Sequence, residues 1–155
     1  MQYSETFNEP DLSAVRTAVR VVAIDPGTKH IGVAVSDELR LVARPLPAIA
    51  RKSWKKLLAD VQVVIAEYDA AALVVGLPLN TDGSESSMSA EARKMAAKFG
   101  LSLSIPVFLQ DERVTSYEAR KRLWDRGVEP DKTKQFVDSE AATIILADFL
   151  ERLPK

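Results

Sequence analysis

Cysteine is absent from this chain and histidine occurs once, as His30. The first absence excludes disulfides and thiolate metal sites and suits a reducing compartment. The second leaves too few imidazoles for a His-rich zinc site and argues against a histidine-based nucleophile triad, for which His30 would be the only candidate. No apolar run reaches the roughly 20 residues that span a bilayer. The first twenty residues lack a basic start and an apolar centre, so no secretory signal is expected there; residues 1–19 read as a flexible tail. A dominant charge is missing too. With 21 Lys and Arg against 22 Asp and Glu, the formal net charge is −1, so any attraction to nucleic acid must come from local patches. What remains, 155 residues with 46% hydrophobic and 28% charged, suits one cytoplasmic globular domain over residues 20–155.

The chain is organised around the stretch from Val21 to Ser36. An apolar, β-branched run ends in Asp25, turns through Pro26-Gly27-Thr28, and returns as a second apolar run, which predicts two antiparallel strands with Asp25 at the tip of the first. Leu41 to Leu46 predicts a third strand, stopped by Pro45 and Pro47. Trp54, Leu57, Leu58, Val61, Ile65 and Tyr68 recur at helical spacing, so a helix is expected from Ser53 to about Tyr68. Ala72–Val75 reads as a buried parallel strand and Gly76–Gly83 as a loop at its end. Glu85–Phe99 is expected to be helical with Gly100 as its stop, and Ile105–Leu109 a further strand leading into Asp111 and Glu112. Thr115 and Glu118 have capping-box spacing, predicting a helix to Arg126. Gly127–Val137 reads as a polar loop, and Asp138 as the opening of a last helix with Ala141, Ala142, Ile145, Phe149 and Leu150 inward.

The predicted class is α/β: a mixed five-stranded sheet, three antiparallel strands and then parallel ones, flanked by helices. Ligands in such sheets sit at the carboxyl edge of the strands. Asp25, the Gly76–Gly83 loop, Asp111 and Glu112 fall on that edge, and Asp138 can be brought to it by the last helix. Clustered carboxylates without Cys suit hard cations, Mg²⁺ or Mn²⁺, which take oxygen ligands. Two ions about 4 Å apart activate water and stabilise a leaving oxygen in phosphodiester cleavage. Asp25 is the natural bridging ligand, with Glu112 and Asp138 on either side. Asp111 competes with Glu112, because adjacent residues leaving a strand point in opposite directions. Each acid also has a plain structural role open to it: Asp25 as a turn former, Glu112 in an ion pair with Arg113, Asp138 as an N-cap. Glu140 is expected to face solvent, or to serve as a fourth acid.

Phosphate contacts need cations, hydroxyls and amides, and Lys29, Arg44, Asn80, Arg93, Arg113 and Thr115 are the candidates near that edge. From Arg113 to Lys134 seven basic residues face four acidic ones, a local excess that reads either as a substrate face or as a solvated helix surface. Trp54 and Trp124 read as packing residues.

Five stretches together resemble the YqgF (RuvX-type) family of the RNase H-like superfamily, related to Holliday-junction resolvases of the RuvC type. They are Asp25-x-Gly27-x-x-x-Ile31-Gly32-Val33-Ala34, Ala43-Arg44-Pro45-Leu46, Gly76-Leu77-Pro78-Leu79-Asn80, Asp111-Glu112-Arg113-Val114-Thr115-Ser116, and Val137-Asp138-Ser139-x-Ala141-Ala142-x-Ile144-Ile145-Leu146. They run in order from about Val21 to Glu151. The resemblance implies an RNase H-like fold and a metal-dependent nuclease. The family is proposed to mature the 5′ end of the small-subunit ribosomal RNA precursor, pre-16S rRNA, which would add the ribosome as a partner; some members are described as resolving Holliday junctions. In the related resolvases the second acid lies on the fourth strand, whereas Ala72–Val75 has none. The carboxylates do not separate structured RNA from branched DNA as substrate; a resolvase would be a two-fold dimer, and the sequence leaves monomer and homodimer both open. Two other classes compete. Asp25-Pro26-Gly27-Thr28 also resembles the phosphate loop of actin-like kinases, which need two such lobes, and a non-catalytic RNA-binding module would keep the fold without the chemistry.

Overall fold

The computed structural model describes residues 19–27, 29–80, 82–112 and 130–153, with only the backbone of residues 130–138. Residues 1–18 of the expected tail and the helix expected over 115–126 lie outside the described residues; Val19, the last residue of that tail, is buried. Five strands form one sheet: β1 (Val21–Asp25), β2 (His30–Ser36), β3 (Ala43–Ala50), β4 (Ala72–Pro78) and β5 (Val107–Glu112). Their order is β3-β2-β1-β4-β5. β1–β2 and β2–β3 pair antiparallel, β1–β4 and β4–β5 parallel, so the mixed five-stranded sheet has the expected form.

Two helices, α1 (Trp54–Tyr68) and α2 (Ser87–Ser102), cover one face. They pack on Ile24, Ile31, Leu73, Val75, Leu77 and Leu109. Ser53 caps α1 by accepting from the Lys56 amide, and Asp69 ends it in a left-handed conformation, the two terminal devices that a helix needs for its orphaned amides and carbonyls. The other face is covered by α3 (Pro130–Glu151), whose Ala142, Ile145, Leu146, Phe149 and Leu150 pack on Val21, Ala23, Ala34, Ala72 and Val74. That helix crosses the sheet diagonally. Ser139 reaches β2 and β3, Ile145 sits on Gly76 of β4, and Phe149 lies 5.5 Å from Phe108 of β5.

Several sequence expectations need correction. β3 runs through Pro45 and Pro47 to Ala50, because it is an edge strand, where a missing amide costs no ladder bond. β4 continues to Pro78 and β5 to Glu112, since each extends the other through Leu77↔Asp111 and Pro78↔Glu112; the loop therefore begins after Pro78, not at Gly76. α2 starts one residue after its cap Ser86 and runs through Gly100 to Ser102. Gly100 is buried there, and packing overrides a helix penalty of about 1 kcal/mol. α3 starts at Pro130, a residue well suited to a first helical position. Residues 130–137 are thus helix rather than loop, and Asp138 lies inside α3 instead of capping it.

Candidate active site

Strand register settles which acids share a face. Asp25 pairs with Gly32 of β2. Ile24↔Val75 puts Asp25 beside Gly76 on β4, and Gly76 pairs with Gln110 on β5. Paired residues in a sheet point the same way, and the direction alternates along each strand. Val21 and Ala23 face α3, so Asp25 does too; Phe108 faces α3, so Gln110 and Glu112 follow. Leu109 lies in the opposite core, so Asp111 points to the α1/α2 side. Glu112, 9% exposed, therefore shares the α3 face with Asp25, and Asp111 does not.

Between these acids stands a position without a side chain. A β-carbon at Gly76 would collide with Cδ1 of Ile145 and lie 3.2 Å from its Cγ1. Close docking of α3 thus requires glycine at this position of β4. Asp25 and Glu112 are two strand spacings apart, roughly 10 Å across the sheet, with Glu112 two residues nearer the loop edge than Gln110, which stands level with Gly76. Ile145 occupies the space above Gly76, so the open ground between the carboxylates lies further out, at that edge.

The turn after Asp25 is held from outside. A β-carbon at Gly27 would strike the His30 carbonyl oxygen, so only glycine permits the tight return into β2. Arg51, just beyond β3, donates from Nη1 to the Gly27 carbonyl at 2.8 Å and from its amide to the Lys29 carbonyl at 2.8 Å. Its other nitrogen meets Glu91 of α2 at 2.6 Å. Arg51 belongs to no motif, and its role was not legible in the sequence.

α3 is anchored beside Asp25 by Ser139. The β2–β3 ladder shifts register between Ile31 and Val33. Into that bulge Ser139 inserts its buried hydroxyl, accepting from the Val33 amide and donating to the Leu46 carbonyl. The next residue, Glu140, expected to face solvent, is fully buried. The anchored turn carries Asp138 in backbone; its side chain is outside the described residues.

The other candidates divide. Asn80 lies at the edge, where its Nδ2 donates to Ser84 Oγ at 2.9 Å and to the Glu85 carbonyl at 3.1 Å, shaping the loop after β4. Lys29 is exposed at the tip of the Asp25 turn, beside exposed His30. Arg93 is also nearby, but its guanidinium grips Glu85 at 2.8 and 3.1 Å, which holds that carboxyl below its ordinary value. Arg44 is not at the edge. It pairs with Val35, which stands opposite Val22, three residues or about 10 Å from the Asp25 level, and its guanidinium lies over Tyr68, 5.5 Å from the ring centre. Arg113 and Thr115 lie outside the described residues.

Among the described residues no three His, Asp or Glu side chains are grouped closely enough to hold a metal ion. Asp25 and Glu112 nevertheless offer only carboxylate oxygens, on rigid strands and one face, which fits Mg²⁺ or Mn²⁺ and excludes soft-metal chemistry.

The family profile described as RuvX, Holliday junction resolvase, matches residues 19–152. This chain belongs to the RuvX family. A relative from Anaeromyxobacter dehalogenans strain 2CP-1, named "Putative pre-16S rRNA nuclease", is 39% identical over 134 residues, covering 86% of this chain and 98% of that protein. Among solved structures, Thermus thermophilus RuvC bound to a Holliday junction superposes with a TM-score of 0.52 at 20% identity, covering 86% of this chain and 95% of RuvC. Fowlpox virus resolvase with junction DNA gives 0.54 at 11% identity, covering 88% and 100%. These likenesses establish the RNase H-like fold and a place in a nuclease family. No helix among the described residues is long and apolar enough to cross a membrane.

Proposed function

We propose that this RuvX-family protein is a cytoplasmic, Mg²⁺- or Mn²⁺-dependent nuclease that matures the 5′ end of pre-16S rRNA. The observation that carries the reading is the shared face of Asp25 and Glu112 at the carboxyl edge, on either side of side-chain-free Gly76. The names of relatives at 35–40% identity supply the substrate. Asp25, Glu112 and Asp138 would hold the ions, which when bound supply Lewis acidity and an activated water. Asp25 stays in place because β1 is central in the sheet and Arg51 fastens the turn behind it. Glu112 would approach from β5 at the open edge beyond Gly76, where Ile145 no longer fills the space, and the Ser139 anchor brings the Asp138 turn over β2. Lys29, at the tip of the Asp25 turn, and the backbone of the Asn80 loop are positioned to receive phosphates.

A second reading, resolution of branched DNA, is favoured by the family description and by the RuvC-like fold. It requires a two-fold dimer to cut two symmetric strands. One experiment separates them. A labelled 5′-extended pre-16S RNA and a synthetic four-way DNA junction are incubated with wild type and Asp25→Asn, each in Mg²⁺, Mn²⁺ or EDTA. Metal-dependent RNA cleavage absent from the variant supports maturation. Paired symmetric nicks in the junction would replace it with resolution. Equal cleavage by the variant would sink the site, and no cleavage by wild type would sink both nuclease readings.

A further inference from the structure

On the α1/α2 side of the same edge, a cavity of about 230 Å³ opens between the start of α1 and the middle of α2. Its walls carry Arg51, Lys52, Lys94 and Lys98 against the single carboxylate of Glu91, four cations to one anion in a chain of net charge −1. Glu91 is committed to Arg51 at 2.6 Å. Lys52 and Lys94, both exposed, have no ion-pair partner among the described residues. Trp54 forms an aromatic wall, held edge-on by Phe99 at 4.7 Å, with the Lys98 ammonium 5.3 Å from its ring centre. Lysines scattered on a helix surface are usually just solvated. These converge from two elements on a concavity, and the cavity joins the active edge through Arg51, which bonds to both Gly27 and Lys29 of the Asp25 turn.

We infer that this cavity holds the phosphodiester backbone of the nucleic-acid substrate a few nucleotides from the scissile bond. The strand passes over the Asp25 turn from the carboxylates on one face to Lys52 and Lys94 on the other. Point-charge ammonium groups suit phosphate oxygens without reading sequence, and Trp54, in the same wall, stands where a bound strand would change its surroundings. This assignment rests on the nuclease reading and adds a substrate contact that none of the five sequence motifs contains.

The test uses the full chain in EDTA, with Asp25→Asn to prevent cutting, and compares Lys52 and Lys94 intact with Lys52→Gln/Lys94→Gln. Binding of a fluorescent RNA stem with a 5′ extension and of a four-way DNA junction is followed by anisotropy across a salt series. Removing two phosphate contacts should weaken binding at least about tenfold near 0.1 M salt and flatten the log–log salt slope by about 1.4 to 1.8. The melting temperature should not change, because both lysines are exposed. In a Trp124→Phe background, Trp54 emission should respond to the oligonucleotide and lose that response in the double variant. A loss confined to RNA or to DNA identifies which strand the cavity takes. Unchanged affinity and slope in the double variant would overturn the inference even if wild type cleaves RNA. A Trp54 response to millimolar inorganic phosphate that no oligonucleotide competes away would overturn it as well, leaving a small-anion pocket. Lysine-dependent binding with no cleavage by wild type would keep the cavity and remove the nuclease reading instead.

Discussion

Toward α3 the sheet presents Val21, Ala23, Ala34, Ala72, Val74 and Gly76, whereas toward α1 and α2 it presents Ile24, Ile31, Leu73, Val75 and Leu77. One face is mostly small and the other mostly large. The small face lets a single helix come close enough for Ile145 to rest on Gly76 and for Ser139 to enter the β2–β3 bulge. The large face needs two helices to cover it and supplies most of the apolar core. The acids Asp25 and Glu112 lie on the small face and the cationic cavity beside the large one. Close approach, which fixes carboxylates, and bulk, which stabilises the domain, are thus divided between opposite sides of one sheet.

The comparison can be broken most severely at the acids. Asp25→Asn and Glu112→Gln should each reduce single-turnover cleavage by more than about 100-fold, because loss of a group that only supports a metal ligand already costs about 10–100-fold. Asp111→Asn, one residue away but on the other side, should cost less than about tenfold. Similar losses at positions 111 and 112 would mean that the face assignment is wrong.

Stability should answer to opposite changes on the two sides. Leu73→Ala removes volume from the large-residue core and should cost about 2–5 kcal/mol in urea unfolding. Gly76→Val adds volume where Ile145 already sits and should cost about 1–3 kcal/mol. Combining it with Ile145→Ala should give a favourable coupling in a double-mutant cycle; strict additivity would show that the helix is not seated on that glycine.

Ser139→Ala leaves the Val33 amide and the Leu46 carbonyl unsatisfied inside the small face, a cost of about 1–3 kcal/mol. Faster hydrogen exchange at Val33 should accompany it, and protection equal to wild type would contradict the anchor.

The smallest effect lies away from both cores. The Val42 amide at 2.9 Å, joined by the Leu41 amide at 2.8 Å, holds the Asp37 carboxyl below its ordinary 3.8. A lowered folded pKa gives stability that is fully present above the unfolded value and lost as pH falls through the folded one. Asp37→Ala should therefore cost about 0.5 kcal/mol at pH 7, the low end for a hydrogen bond in water. The gap should narrow below about pH 3.8; a gap independent of pH would assign the effect to packing.

Local signals were legible where local physics decides. The first two strands, Asp25 at the end of β1, and Ser53 ahead of an amphipathic helix all follow from alternation, turn chemistry and capping, which act within a few residues. Pro45 and Pro47 misled because proline reads as a stop unless the strand is known to be an edge. Gly100 misled because burial, which a linear pattern does not reveal, outweighed its helix penalty. Asp138 looked like a cap because Asp caps well, yet Pro130 eight residues earlier also has a first-turn signal, and α3 begins there.

The sequence by itself determined the inventory: carboxylates without thiols, strands and helices in the order that an RNase H-like sheet requires, and motifs that mark the RuvX family. Only the tertiary structure decided which acid faces which. The Asp111/Glu112 choice depends on register across β4, Arg44 was removed to the far end by the direction of β3, and Arg51 gained its role through contacts with Gly27 and Glu91, distant in sequence. Composition and spacing act along the chain, while register and helix docking are set by packing between segments that the chain brings together only when folded.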